Sequence, residues 1–436
     1  MPVIDVHTHI FTHKWLELLR QRGGAYNIQT RPDGQQEVFR GNTPVVIPQK
    51  GHFDFDMRIR QMDESGIDIS VVSLTCPNVY WGDQATSCLA ARESNDAIAE
   101  AQARYPGRIR WFTSLPWEYP EAALEELRRT CENGASGVMV LANIAGRNLT
   151  DPMFAPIWAE IDRRALPVLV HPTDPPGVDL MDMTKFDLSW AVGFMFDTTL
   201  AITRMIFEGF FDQYPNLKLI ASHAGGALPY LAGRFEKANE IGIPQRRKMK
   251  RKPIDYLRRI YYDCITYSPA SLEFLVSVVG ADRVLFGTDW PHQVYDIRGA
   301  FANTARLPKE QCDAIRGNNA LRVFGSDASR GGSEDLMRRD TLAILFSQRH
   351  LALAPRATTT AALARPDRRA APPISRSIAR HRTTGTRSVK KASKTEHLKP
   401  IRYRRRYRER TPARAPTYTA RNTVRLIPER SLAKLG

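Results

Sequence analysis

The sequence predicts an α/β protein: a closed (β/α)8 TIM barrel with a small insertion after its first strand. Three observations predict it. Eight short, β-branched runs recur along residues 1–326, helical patterns lie between them, and metal-ligand residues end the first, fifth, sixth and eighth runs. Alternating strands and helices imply a parallel sheet. Eight such units suffice to close a barrel, whose first and last strands are neighbours and whose C-terminal strand ends share one rim. A doubly wound open sheet explains the four endings less well, because it keeps the first strand away from the last.

The elements follow in order. The first run is Val3–His9 (VIDVHTH). Residues 22–55 come next and are rich in Gly, Pro and polar side chains, so they read as an insertion. Within it Gln35–Arg40 suggests a small hairpin, and the insertion falls over the C-terminal rim, where a lid would stand. A plain surface loop is the alternative. Then come the strand Ile67–Leu74, the helix Ala85–Tyr105, the strand Ile109–Leu115 and the helix Pro120–Asn133. The strand Gly137–Ala142, the helix Ala155–Arg164, the strand Leu166–His171 and the helix Thr198–Gln213 follow. The body closes with the strands Leu217–His223 and Ile260–Ile265, the helix Ser271–Val279 and the strand Val284–Asp289. Long apolar runs of this kind suit strands covered on both faces.

Composition bounds the rest. The chain has 436 residues, is 42% hydrophobic and carries a net charge of +17. Residues 327–436 hold 27 Lys/Arg against 8 Asp/Glu, a net +19, whereas residues 1–326 hold 36 against 38, a net −2. The basic excess therefore belongs to the tail and says nothing about the body. Residues 326–436 read as a low-complexity, disordered extension, because they offer too little apolar surface to fold alone. The run Arg402–Arg410 (RYRRRYRER) raises nucleic-acid binding by the tail as an alternative. Five cysteines, widely spaced and without a CxxC, indicate neither a disulfide framework nor a thiolate zinc site. A reducing, cytoplasmic setting fits, with no secretory signal before the first strand and no membrane span.

His7 and His9 lie two apart on a strand, so both imidazoles point one way and can share one cation. His171 and Asp289 end other strands and complete a site of four protein ligands with a position left open. Nitrogen and oxygen donors suit Zn²⁺, with Mn²⁺, Fe²⁺ or Co²⁺ as alternatives. His223, in SHAGGALP, is either a fifth ligand or a base acting on water that the metal presents. His292 follows Asp289 closely and is placed as a pocket residue. The fourth strand, GVMVLAN, has no lysine to bridge two metals, which favours one. No glycine signature for a dinucleotide or phosphate occurs in the body, so no organic cofactor is expected.

Together HTH, VHP, SHAGG and GTDWP resemble the amidohydrolase-related, metal-dependent decarboxylases, on the branch acting on aminocarboxymuconate semialdehyde. The likeness spans roughly residues 2–325 and includes MRIRQMDESGI, SWAVGFMFDTTLAI and GNNALRVFG. It implies that His7, His9, His171 and Asp289 hold the metal and that His223 activates the water and shuttles protons. It also implies that Arg234 reaches a substrate carboxylate in a neighbouring subunit, hence a homodimer, and that Trp190 lines the substrate pocket. A second substrate arginine of the family has no clear counterpart: counting back from Met57 reaches Gln49, with Lys50 beside it and Arg40 upstream.

The expected function is non-oxidative decarboxylation of a conjugated or aromatic carboxylic acid, with His223 and Asp289 as catalytic groups. The alternative on the same scaffold is a metal-dependent hydrolase of an amide or lactone. From a different class comes a nucleic-acid-binding protein acting through its tail.

Overall fold

The computed structural model describes residues 1–178, 180–242 and 248–325. The tail expected over 326–436, with its disorder and nucleic-acid readings, lies outside the described residues. Thirteen strands occur among those described. The first is β1 (Ile4–Ile10). The insertion supplies β2 (Tyr26–Thr30), β3 (Gln36–Arg40) and β4 (Thr43–Val46). Then come β5 (Ile69–Leu74), β6 (Ile109–Ser114), β7 (Gly137–Leu141) and a short hairpin of β8 (Asn143–Ile144) and β9 (Arg147–Asn148). The last four are β10 (Pro167–His171), β11 (Lys218–Ala221), β12 (Tyr261–Asp263) and β13 (Val284–Leu285).

Eight of these form one parallel sheet in the order β1-β5-β6-β7-β10-β11-β12-β13. The chain beyond β13 closes it onto β1. Val6 N–H donates to Phe286 O at 3.0 Å, Asp289 N–H to His7 O at 2.9 Å and His9 N–H to Trp290 O at 2.8 Å. A parallel bridge joins Thr8 to Trp290. The predicted (β/α)8 barrel is therefore the observed fold. Every residue of β5, β7 and β10 is buried, as strands between a packed interior and a helical coat must be.

The helices start and stop where the local chemistry directs. Asp54 caps Phe55–Ser65 by accepting from Met57 N–H at 2.8 Å, and Gly66 ends that helix at a left-handed φ of 71°. Asp83 caps Gln84–Arg104 in the same way. A single helix over Thr198–Gln213 is not formed. It divides into Phe194–Phe207 and Phe210–Gln213, broken by Gly209 at φ 71°. A β-carbon there would sit 2.7 Å from Lys248 O, so only glycine lets the chain turn at that point.

The insertion also differs from expectation. Gln36–Arg40 is one strand of a three-stranded antiparallel sheet, not a hairpin by itself. The turn falls earlier, at Arg31–Gln35, where Arg31 N–H bonds to Gln35 O and Gly34 takes φ 84°. A second correction concerns strand ends. β11 stops two residues before His223 and β13 stops four before Asp289. Both residues have positive φ, 51° and 61°, which takes their backbone out of the ladder and into the rim loops.

Candidate metal centre and active site

Five predicted residues meet at the C-terminal rim. β1 carries His7 and His9, with ring centroids 4.9 Å apart. A register shift in β1 between Asp5 and Thr8 falls at this point, where a bulge re-aims side chains. His171 ends β10 and stands 4.7 Å from His9 and 5.2 Å from His7, ring to ring. His223 lies 5.0 Å from His7 and 5.5 Å from His171. Ligand atoms of His7, His171, His223 and Asp289 all fall within 4.8 Å of one another. His9 forms a second such group with Asp289 and His292.

The hydrogen bonds behind the rings set their tautomers. His171 Nδ1 faces Pro172 O at 2.9 Å, and a carbonyl only accepts, so Nδ1 carries the proton and Nε2 a lone pair. His7 Nδ1 donates to Asp263 Oδ2 at 2.6 Å, which frees its Nε2 likewise. The Ser73 hydroxyl donates to Thr8 O at 3.3 Å and accepts a hydrogen bond from His9 Nδ1 at 3.2 Å. Three Nε2 lone pairs thus point into one space. Carboxylate and carbonyl partners behind metal-binding histidines do this as a rule.

These donors fit a divalent cation. His7 Nε2 and His9 Nε2 approach to 3.0 Å, and Asp289 Oδ1 lies 3.2 Å from His9 Nε2 and 3.5 Å from His7 Nε2. Neither nitrogen carries a proton in these tautomers, so the lone pairs repel unless a positive charge lies between them. His171 Nε2 and Asp289 Oδ1 are moreover buried without a hydrogen-bond partner, and such groups are stable only when something satisfies them. Protonation agrees. Burial, then the neighbouring imidazoles, hold His171 well below the usual histidine range. Burial does the same to His9. Burial pushes the Asp289 carboxyl up, but the surrounding imidazoles, His292 first and then His223, His9 and His7, outweigh it and hold it well below the usual carboxylate range. Burial also opposes charge on His7, yet Asp263 overrides it and raises that ring. β7, the fourth barrel strand, presents Gly137–Leu141 without lysine.

Asp263 was not foreseen. It is fully buried at the end of β12, and four donors converge on it. Oδ2 accepts from His7 Nδ1 and from His223 N–H at 2.7 Å; Oδ1 accepts from Ala224 N–H at 2.9 Å and Ile265 N–H at 3.0 Å. One carboxylate therefore orients both a ligand and the strained turn that presents His223. The signal was present in IYYDCI: an acid inside an otherwise buried strand must have internal partners. The turn itself needs Gly226, at φ 61°, where a β-carbon would meet Met195 O at 2.3 Å.

A cavity of about 1130 Å³ opens over the centre. His171, His223, Asp289 and His292 form its floor, and Trp190, Phe194, Tyr267 and Phe274 line its walls. The insertion contributes Arg31, Glu37 and Pro44–Ile47. His292 Nε2 lies 3.0 Å from Thr75 Oγ1. Trp190 is 41% exposed, and among the described residues Arg31 is the one Lys or Arg of the lining, paired with Glu37 at 3.2 Å and Asp33 at 3.4 Å. Arg234 is exposed on the helix Leu228–Ile241 and lines no part of this cavity; Gln49, Lys50 and Arg40 do not line it either.

Residues 4–326 match the family model described as amidohydrolase. The chain is 30% identical over 339 residues to 2-amino-3-carboxymuconate-6-semialdehyde decarboxylase of Dictyostelium discoideum, covering 75% of this chain and 92% of that protein. It is 31% identical over 288 residues to gamma-resorcylate decarboxylase of Rhizobium sp. (strain MTP-10005), covering 63% and 88%. Among solved structures, the dihydroxybenzoic acid decarboxylase of Polaromonas sp. JS666, with bound manganese and the inhibitor 2-nitroresorcinol, superposes with a TM-score of 0.63 at 27% identity. That match covers 74% of this chain and 96% of the other.

Proposed function

The chain belongs to the amidohydrolase family, and on that premise we propose that it is a metal-dependent, non-oxidative decarboxylase of a conjugated or aromatic carboxylic acid. The observation that carries this reading is the cluster of buried, unprotonated imidazole nitrogens and the Asp289 carboxylate at the floor of an aromatic-walled cavity. His7, His9, His171 and Asp289 are the ligands in this reading. When bound, the cation supplies a Lewis acid that orients the substrate carboxylate and stabilises negative charge beside the breaking bond. Zinc is our reading from the nitrogen-rich donor set. Manganese, present in the Polaromonas structure, is the competitor, and elemental analysis of the purified protein decides between them.

The residues divide the remaining work. In decarboxylation the C–C bond to the carboxylate breaks, its electron pair stays on the substrate carbon, and a proton must take the place of CO₂. His223 Nε2 stands 3.5 Å from Asp289 Oδ2 at the cavity floor, so the two form an acid–base pair. Asp289 stays ionised, which leaves His223 to carry the proton. Trp190, Phe194 and Phe274 hold the conjugated body of the substrate against an apolar wall.

The lining favours one carboxylate per substrate within a single copy of the chain. Arg31 is already neutralised by Glu37 and Asp33. A second carboxylate, as in aminocarboxymuconate semialdehyde, needs a cation from elsewhere, and Arg234 is the candidate. We therefore read the working unit as a homodimer. Arg234 has no ion-pair partner among the described residues, and Tyr230, one turn away, is 81% exposed. Phe196 and Leu200 of Phe194–Phe207 are also large exposed apolar side chains. Five free cysteines suit a reducing, cytoplasmic setting, and no described helix is long and apolar enough to cross a membrane.

The test is release of CO₂ from a panel of hydroxybenzoic and muconate-type acids by metal-loaded protein. Amide and lactone substrates run in parallel. Turnover of the latter with no CO₂ from any acid would replace decarboxylation by hydrolysis.

A further inference from the structure

Arg58, on the helix Phe55–Ser65, is 2% exposed although the helix lies outside the barrel. Its Nη1 donates to Thr8 Oγ1 at 2.8 Å, and its Nη2 donates to His9 O. The guanidinium carbon stands 4.4 Å from the centre of the Trp290 ring, within cation–π range. No carboxylate lies within ion-pairing distance of it among the described residues. A buried guanidinium without a salt bridge is expensive, and here the carbonyl, the hydroxyl and the Trp290 ring hold it, with the more distant Phe55 ring at 5.8 Å.

These three contacts share one location. Thr8 lies between His7 and His9, and Trp290 follows Asp289. Thr8 and Trp290 are also the pair that bridges the closing seam, and His9 N–H donates to Trp290 O there. Arg58 therefore grips both sides of the joint that brings ligands from the first strand against the ligand beyond the last. The Trp290 side is fixed from outside as well: a β-carbon on Gly51 would lie 2.6 Å from its ring.

We propose that Arg58 is a positioning residue for the metal centre, clamping the β1–Trp290 seam so that His7 and His9 keep their spacing to Asp289. It touches no substrate and no reacting atom. Its effect is on how well the donors fit a cation, so it should show first in metal affinity. The inference rests on the metal-centre reading.

The test compares wild type with Arg58→Lys, Arg58→Met and Thr8→Val, all as the full chain. Manganese affinity is measured by competition with a chelator, and thermal midpoints are recorded for metal-free and loaded protein. Lysine keeps the charge but loses the forked grip, and valine removes the Nη1 acceptor together with the Thr8–Ser70 hydroxyl contact at 3.0 Å while leaving Arg58 itself in place. Supporting partners of metal ligands are worth about 10- to 100-fold in affinity. Arg58→Lys is expected to weaken manganese within that range, and Thr8→Val at its lower end. A smaller metal-induced rise in thermal midpoint should accompany each. If Arg58→Met does not fold, the other two variants still decide. Wild-type affinity in Arg58→Lys and Thr8→Val overturns the proposal, even if their metal-free midpoints fall, because Arg58 is then only a packing residue. Failure of the wild type to bind manganese or zinc would instead refute the metal-centre reading.

Discussion

Replacing Asp263 with asparagine tests the logic of the site most directly. Four donors share the two oxygens of Asp263, two on each. An amide has one oxygen, so it can serve only one pair. If that oxygen takes the place of Oδ1, Ala224 and Ile265 stay satisfied and the amide NH₂ faces His7 Nδ1 and His223 N–H. His7 must then accept at Nδ1 and move its proton to Nε2, which aims a hydrogen at the metal position. One buried backbone donor is also left unmatched, costing about 1–3 kcal/mol. In the opposite orientation His7 keeps its tautomer, but two backbone donors lose their acceptor, about 2–6 kcal/mol together. Either outcome is large beside a domain stability of roughly 5–15 kcal/mol. The first orientation also predicts a fall in metal affinity of about 10- to 100-fold. Urea unfolding of the metal-free protein and chelator competition separate the two orientations. Asp263→Asn with unchanged unfolding free energy and unchanged manganese affinity would falsify the claim that this carboxylate sets the His7 tautomer.

Three further outcomes are expected. His223→Ala should lower kcat by about 10²- to 10⁴-fold, the usual contribution of a general acid–base group, while metal content stays near one per chain; a normal kcat removes its catalytic role. Arg234→Ala should raise KM for a dicarboxylic muconate-type acid and leave KM for a hydroxybenzoic acid unchanged; equal effects on both argue against a contact with the second carboxylate. Asp197→Asn should flatten the pH dependence of stability. Burial raises the Asp197 carboxyl from an ordinary 3.8 to about 7. Between those values the folded chain holds a proton that the unfolded chain has released, so stability falls as pH rises and the penalty is complete above about pH 7. At about 1.4 kcal/mol per pH unit, the upper limit is on the order of 4 kcal/mol. Denaturant titrations at pH 4.5 and 8 read the change, and a variant as pH-sensitive as wild type would show that Asp197 is not the group responsible.

The barrel was largely legible because it rests on local signals. The runs at Ile67–Leu74, Ile109–Leu115 and Leu166–His171 are apolar enough to be strands wherever they pack, and the observed strands fall within them. His7 and His9 were legible for the same reason, since the two-residue period of a strand places them together. Elements that depend on distant partners were less so. The helix break at Gly209 is forced by Lys248 O, which sequence does not place beside it. The turn of the insertion at Arg31–Gln35 depends on pairing Tyr26–Thr30 with Gln36–Arg40. Asp263 reads as one more residue in a strand until His7, 256 positions away, is found at 2.6 Å.

By itself the sequence determined the strand–helix alternation, the donor atoms available for a metal and the absence of a bridging lysine. Each of these is a property of a residue type or of its spacing along a few turns of chain. Only the tertiary structure decided which imidazole nitrogens carry protons, which donors converge and which side chains hold them there. Those properties depend on hydrogen bonds between strands remote in sequence. Asp263 behind His7, Ser73 behind His9 and Arg58 across the closing seam become neighbours only when the barrel shuts, and the lone pairs then face one another in a space suited to a cation.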